Sequence, residues 1–216
     1  MVLTNLVIPN LRGDEMSKEH IMAWQRAIGA DDDGDFGPET LRRSMALLPT
    51  LPDQTSLPWM TSIKSVFGLH EVRDKPRLQL WLRSDGKTLG DPTALPWCGD
   101  AAETAIKTAL PKEPFTGPLA TNPYWARNWI DFGGSGMGYG CVGVFERPGG
   151  GGHVGFLVGE DSIAYHVLGG NQGDSINVTR IDKGRLLAAR WPLTWEHSPL
   201  PLPKKPQSLP LSVNEV

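Results

Sequence analysis

The chain has 216 residues, 39% of them hydrophobic and 21% charged, and its 21 Lys+Arg against 24 Asp+Glu leave a formal charge of −3. That length sets an expectation of one domain with a small appendage, and the near-balance of charge argues against a nucleic-acid partner, which needs a strong basic field. No apolar run approaches the roughly eighteen residues of a membrane span, the opening MVLTNLVIPNLRGDE lacks the basic and apolar blocks of a secretory leader, and two cysteines, Cys98 and Cys141, are too few for a disulfide scaffold or a four-cysteine zinc site.

In chain order, residues 17–48 read as two helices. Ser17 is the N-cap of the first, Ile21, Trp24 and Ile28 recur at helical spacing, and Gly29 closes it. The acidic run Asp31-Asp32-Asp33-Gly34-Asp35 is a loop, and Pro38 opens a second helix carrying Leu41, Met45 and Leu48. Three prolines between 49 and 58 mark a linker. Further helices are expected at Trp59–Phe67, closed by Gly68, at Pro76–Arg83, and at 97–110, where Ala101, Ala105 and Ile106 form a narrow buried stripe. Residues 111–139 read as a Pro/Gly/aromatic stretch with one short helix, Tyr124–Phe132, and a flexible loop through the alternating Gly134, Gly136, Gly138 and Gly140.

From Cys141 the period changes to two. Strands are expected at 141–146, 153–159, 163–168, 175–181 and 186–191, separated by the turn signals PGGGG, EDS, GGNQGD and DKG. Helices followed by a strand meander predict an α+β fold rather than alternating βαβ units. The proline-rich tail from Ser198 is expected to be extended and disordered. The layout is therefore a helical module at 1–50, a linker at 51–57, the main domain at 58–192 and a tail at 193–216.

Three features carry chemistry. Cys98, in PWCGD, stands in the first turn of a helix, where the dipole and unpaired N–H groups favour thiolate and offer oxyanion donors. His153 begins a strand after four glycines, on one face with Gly155. Asn171, in GGNQ, ends the next strand, where an amide can hold an imidazole. Singly, each has an ordinary reading: an inert core thiol, a surface histidine and a turn asparagine. Their order lifts them. His166 is the rival orienter, but its parity on the strand opposes that of Asn171. A calcium loop at Asp31, Asp33 and Asp35 fails because Phe36 stands where glycine is needed. G-x-G-x-x-G fails at Tyr139, and the histidines show no metal spacing, so no metal or cofactor is expected.

PWCGDAAETAI around Cys98, GGGGHVGFLVGED around His153 and YHVLGGNQGDSINVTRI around Asn171 make residues 57–192 resemble the CHAP and NlpC-type cysteine peptidoglycan hydrolases, in particular a phage-associated branch. The resemblance implies a papain-like catalytic domain, helices packed on an antiparallel sheet, with Cys98 as nucleophile, His153 as base and Asn171 as orienter. Two departures stand out: Gly169 replaces a glutamate common before the asparagine, and Gly140-Cys141 replaces the usual Gly-Asp. WQRAIGADDDGDFGPETLRRSM is similar to the core of a helical peptidoglycan-binding module.

The function so implied is cleavage of an amide bond in the peptide part of bacterial peptidoglycan, as amidase or endopeptidase. Trp97, Tyr124 and Trp125 are the groove-wall candidates. The partner is the cell wall, with no nucleic acid, no membrane insertion and a monomeric chain. The alternatives are an inactive wall-binding or structural phage protein and an injected interbacterial amidase toxin. Synthesis without a leader implies that the wall is reached by lytic release, from a virus particle or by injection. Cys98 is expected to have a depressed pKa, Cys141 not, and both to stay reduced.

Overall fold

The computed structural model describes residues 18–35, 39, 40, 43, 57–207, 209–212 and 215. Ser17, Pro38, Leu41, Met45 and Leu48 of the expected N-terminal helices, and the linker 51–56, lie outside the described residues. The chain divides into two compact units, 1–53 and 54–216.

In the first unit, α1 (Lys18–Ile28) ends at Gly29, which takes φ +69. Gln25, 1% exposed, then staples the acidic loop to the helix. Its Nε2 donates to Asp33 Oδ1 (2.7 Å), the Asp35 carbonyl (2.9 Å) and Thr40 Oγ1 (3.0 Å), while its Oε1 accepts from Gly34 N–H (2.9 Å). One buried amide thus satisfies a loop that would otherwise need water.

The second unit is α+β. Its helices are α2 (Pro58–Lys64), α3 (Lys75–Leu82), α4 (Cys98–Ala109) and α5 (Gly117–Thr121), with a 3-10 turn at Ala126–Asp131. Proline at the first helical position starts α2, whose buried Trp59, Met60 and Ile63 face the core. The helix is shorter than its apolar pattern suggested and passes through turns to Gly68 at φ +82. α4 is not narrowly striped: every residue from Cys98 to Ile106 is buried, Asp100, Glu103 and Thr104 included.

Six strands form one antiparallel sheet: β1 (Gly134–Ser135), β2 (Val142–Glu146), β3 (Gly152–Glu160), β4 (Ala164–Gly169), β5 (Asn177–Asp182) and β6 (Leu186–Trp191), in the order β1-β6-β2-β3-β4-β5. β1 overturns the flexible-loop expectation, since Gly134 pairs with Trp191 and Ser135 with Arg190. The β3–β4 register shifts between Leu157 and Gly159. Such a bulge twists the ladder locally and turns His166 to pair with Gly159.

The tail is a further correction, because it has backbone partners. Glu113, 1% exposed, accepts from Leu193 N–H (2.7 Å) and Thr194 N–H (2.8 Å). Tyr139 N–H donates to the Leu200 carbonyl at 2.8 Å, Glu160 forms a parallel bridge with Lys204, and Arg180 forms one with Leu211. Proline removes donors but leaves carbonyls, so a proline-rich strap can still be held along sheet edges. Among the described residues, no helix is long and apolar enough to cross a membrane.

Candidate active site

Cys98 opens α4 and is 5% exposed. Its neighbour Trp97 fixes the helix start. The indole is 1% exposed, donates its N–H to Glu71 Oε2 at 2.7 Å, and fills the space beside Gly170, where a Cβ would come within 2.5 Å of a ring carbon. On the other flank, a Cβ on Gly99 would lie 2.4 Å from the Tyr124 carbonyl oxygen. The first turn of α4 is therefore wedged between the chain at 123–124 and the turn after β4. Trp97 is a core pillar, not the groove wall expected of it. Tyr124 is half-buried and Trp125 is 51% exposed, so these two keep surface to offer a ligand.

His153 lies near the start of β3 and is 1% exposed. The β3–β4 ladder ends at Phe156↔Leu168, so this part of β3 runs past the turn 170–175 rather than a strand. From that turn Gln172 presents its Oε1 to His153 Nε2 at 3.0 Å. The orientation of the amide is set by its other end: Gln172 Nε2 donates to the Asn177 carbonyl (2.6 Å), Asn177 Oδ1 (3.1 Å) and the Val167 carbonyl (3.3 Å). All three only accept. Oε1 therefore faces the imidazole, Nε2 of His153 carries the proton, and the basic lone pair is on Nδ1.

Gln172, not Asn171, is the partner of the imidazole. Asn171 is 4% exposed and sits in left-handed backbone at φ +56, followed by Gly173 at +55 and Asp174 at +59. Those residues coil the chain, so strand parity no longer predicts which side chain points inward. Gly169 lies against the same pair: a Cβ there would meet Gln172 Oε1 at 3.1 Å and His153 Nε2 at 3.4 Å. His166 belongs to a separate cluster. Its Nε2 is 3.0 Å from Asp161 Oδ2, which also accepts from Arg180 Nε at 2.8 Å. It lines a cavity of about 390 Å³ with Val158, Leu168 and Val178, which neither Cys98 nor His153 reaches.

Burial governs the electrostatics. It pushes the Cys98 thiol above its ordinary range; the backbone N–H groups of Val154 and Gly99 and the charge of Arg147 act the other way without overcoming it. The expected depressed pKa is thus overturned. The same influence of Val154 places the sulfur against the residue that adjoins His153. Burial also lowers His153 to about 4, against the raising effects of the Glu215 charge and the Gln172 bond, with Arg147 and Arg185 lowering it further. At neutral pH the pair is a thiol and a neutral imidazole, the form that can accept a proton. Cys141 is fully buried, raised to about 12 by burial, and, like Cys98, is not in a disulfide.

Two carboxyls on the Cys98 helix are perturbed as well. Asp100 is raised to about 6 and Glu103 to about 7, both chiefly by burial, and Asp100 Oδ1 and Glu103 Oε2 are buried without a hydrogen-bond partner. Among the described residues, no group of three or more His, Cys, Asp or Glu is placed to hold a metal ion.

Comparison with protein-family models, with curated proteins and with solved structures found no match. The functional reading therefore rests on the residues of this site.

Proposed function

We propose that the second unit is a papain-like cysteine hydrolase that cleaves an amide bond in the peptide part of bacterial peptidoglycan. The observation that carries this reading is a strand histidine whose Nε2–H is held by an amide, leaving Nδ1 free as a base, next in sequence to Val154, whose backbone N–H acts on the helix-start thiol of Cys98. Attack of the Cys98 sulfur on a scissile carbonyl would pass the thiol proton to His153 Nδ1. The backbone N–H groups at the start of α4 would receive the oxyanion. Collapse breaks the C–N bond, the imidazolium returns its proton to the leaving amine, and water then hydrolyses the thioester with His153 again as base. Gln172 acts here as a positioning residue.

The Gln25-stapled loop of the first unit supports a wall-binding role beside this chemistry, because it builds a defined surface from the motif that resembles such modules. A phage lysin or virion-associated enzyme, or an injected toxin, fits a hydrolase of this kind. The second reading, an inactive wall-binding protein, is favoured by one observation: Cys98 and His153 are only 5% and 1% exposed.

Clearing of purified cell walls by the wild type, lost in Cys98→Ala and His153→Ala while binding to the walls persists, is the expected result. Muropeptide mass spectrometry would show which bond is cut. Undiminished clearing by Cys98→Ala, or no new amine in wild-type digests, would sink the hydrolase reading.

A further inference from the structure

Cys98 and His153 are buried, and the chain that follows β6 brings the Glu215 carboxylate close enough for its charge to act on the imidazole. Leu211 bridges to Arg180, Ser212 N–H donates to the Arg180 carbonyl at 2.7 Å, and the Ser212 carbonyl accepts from Arg185 Nη1 at 3.3 Å. The strap so anchored delivers Glu215, which is 1% exposed. Both oxygens of Glu215 are taken by the Arg185 guanidinium, at 2.8 Å to Nη1 and 2.7 Å to Nη2. Arg185 is itself aimed, because its Nε donates to the Glu146 carbonyl at 2.8 Å. Glu146 pairs with Gly152 on the rung next to Phe145↔His153. The fork is therefore anchored one rung from the backbone of His153, and the charges of both Arg185 and Glu215 act on its imidazole.

A lone buried carboxylate is costly, and a bidentate guanidinium is the arrangement that offsets that cost. The same guanidinium also borders a cavity of about 230 Å³, which it lines with Arg147, Glu146 and the hairpin glycines Gly149 and Gly150. Nothing lies within 4 Å of where a Cβ on either glycine would be. An external carboxylate would thus have a cationic approach to Arg185, and the strap itself arrives as extended peptide ending in an acidic side chain.

We propose that Arg185 is a binding position for a peptide carboxylate at the edge of the Cys98–His153 site, and that Glu215 fills it as an internal occupant that keeps the site shut. The ligand class is a peptide bearing a free carboxylate, which must displace Glu215 to reach the sulfur. This inference rests on Cys98 and His153 being the reacting pair.

The test is site-resolved alkylation of Cys98 in the full-length chain, comparing anionic iodoacetate with neutral iodoacetamide by peptide mass spectrometry. In the wild type both should react slowly. Glu215→Gln should accelerate both, with iodoacetate gaining at least roughly tenfold over iodoacetamide once the internal competitor is gone. Arg185→Gln should also speed iodoacetamide but lose the preference for the anion. N-acetylglutamate at millimolar concentration should restore slow labelling in Glu215→Gln, and N-acetylglutamine should not. Circular dichroism checks each fold. If Glu215→Gln does not fold, Ser212→Pro, which removes the N–H bonded to Arg180 and leaves both charges, carries the same expectation.

Rates indifferent to Glu215, or a gain equal for both reagents, would overturn the proposal. The labelling needs no turnover. A chain that clears no cell walls yet shows this pattern would fail as a hydrolase and keep the subsite, whereas a lytic chain indifferent to Glu215 would do the reverse.

Discussion

The ring of Trp97 occupies the space that a side chain on Gly170 would fill. One contact thereby joins the residue before the cysteine to the turn that carries the histidine's partner. Packing across that contact holds the start of the Cys98 helix against the turn that carries Gln172. Gly170→Ala should therefore cost about 1–3 kcal/mol of stability by overpacking. Urea unfolding measures this, and cell-wall clearing per folded molecule should fall with it. Stability and rate equal to wild type would show that the ring yields freely.

Gln172→Ala should lower turnover roughly ten- to a hundredfold with little change in wall binding, since the amide fixes the tautomer of the base. Asn171→Ala should stay close to wild type per folded molecule. Gln172→Glu should raise the titration midpoint of His153 above about 4 by placing a negative charge at its Nε2–H. An NMR titration of the imidazole carbons reads that shift directly. A loss confined to Asn171→Ala would reassign the third residue.

The pH dependence of thiol labelling follows from burial. Because the folded Cys98 pKa is raised, its thiolate fraction keeps growing above the ordinary thiol range, and the iodoacetamide rate should climb past pH 9 without a plateau near neutrality. Cys141, fully buried and raised to about 12, should likewise react slowly at neutral pH. A Cys98 plateau below pH 7 would mean that a thiolate–imidazolium pair forms in the resting site after all.

Asp100 and Glu103 give stability a slope of the opposite kind. Their folded pKa values, about 6 and about 7, lie above the unfolded ones, so the folded state holds extra protons between the ordinary carboxylate range and about pH 7. Stability should be highest below that window and decline as pH rises through it. Glu103→Gln should raise the melting temperature at pH 8 and flatten that decline. Asp161 works with the other sign: Arg180 holds it well below its ordinary range, so its contribution is present above that range and is lost as acid protonates it. Thermal melts from pH 1.5 to 8 separate the two, Asp161 acting below about pH 4 and the other two carboxyls above it.

The strands were legible from alternation and turn residues: of the five expected ones the last coincides with β6 and the other four differ from those observed by a residue or two at their ends. β1 escaped because Gly134-Ser135 has no side-chain pattern to read; only Trp191 and Arg190 across the gap define it. Proline content described the tail's local conformation but not its partners, which are donors and carbonyls far away in the chain. The places of Cys98 at a helix start and of His153 near a strand start were legible from position. Gln172 was not, since left-handed residues beside it decide which amide turns inward. The thiol's direction of shift was misread for a related reason: the helix dipole is local and visible in sequence, whereas the burial that outweighs it comes from packing by distant segments.

Among the described residues β6 is the last strand, yet it is an interior one in the sheet, inserted between β1 and β2. A chain made from its N-terminus onward has Cys98, His153 and Gln172 in hand while that gap is still open. Closing it requires pairings such as Val142↔Arg190, which span a long loop and form slowly. Until then the flank of β2, one strand away from His153, is an unpaired edge exposed to other chains. Arg185 enters with β6, and Glu215 arrives later still. The order of synthesis therefore makes Cys98, His153 and Gln172 first, the strand that closes the sheet second and Glu215 last.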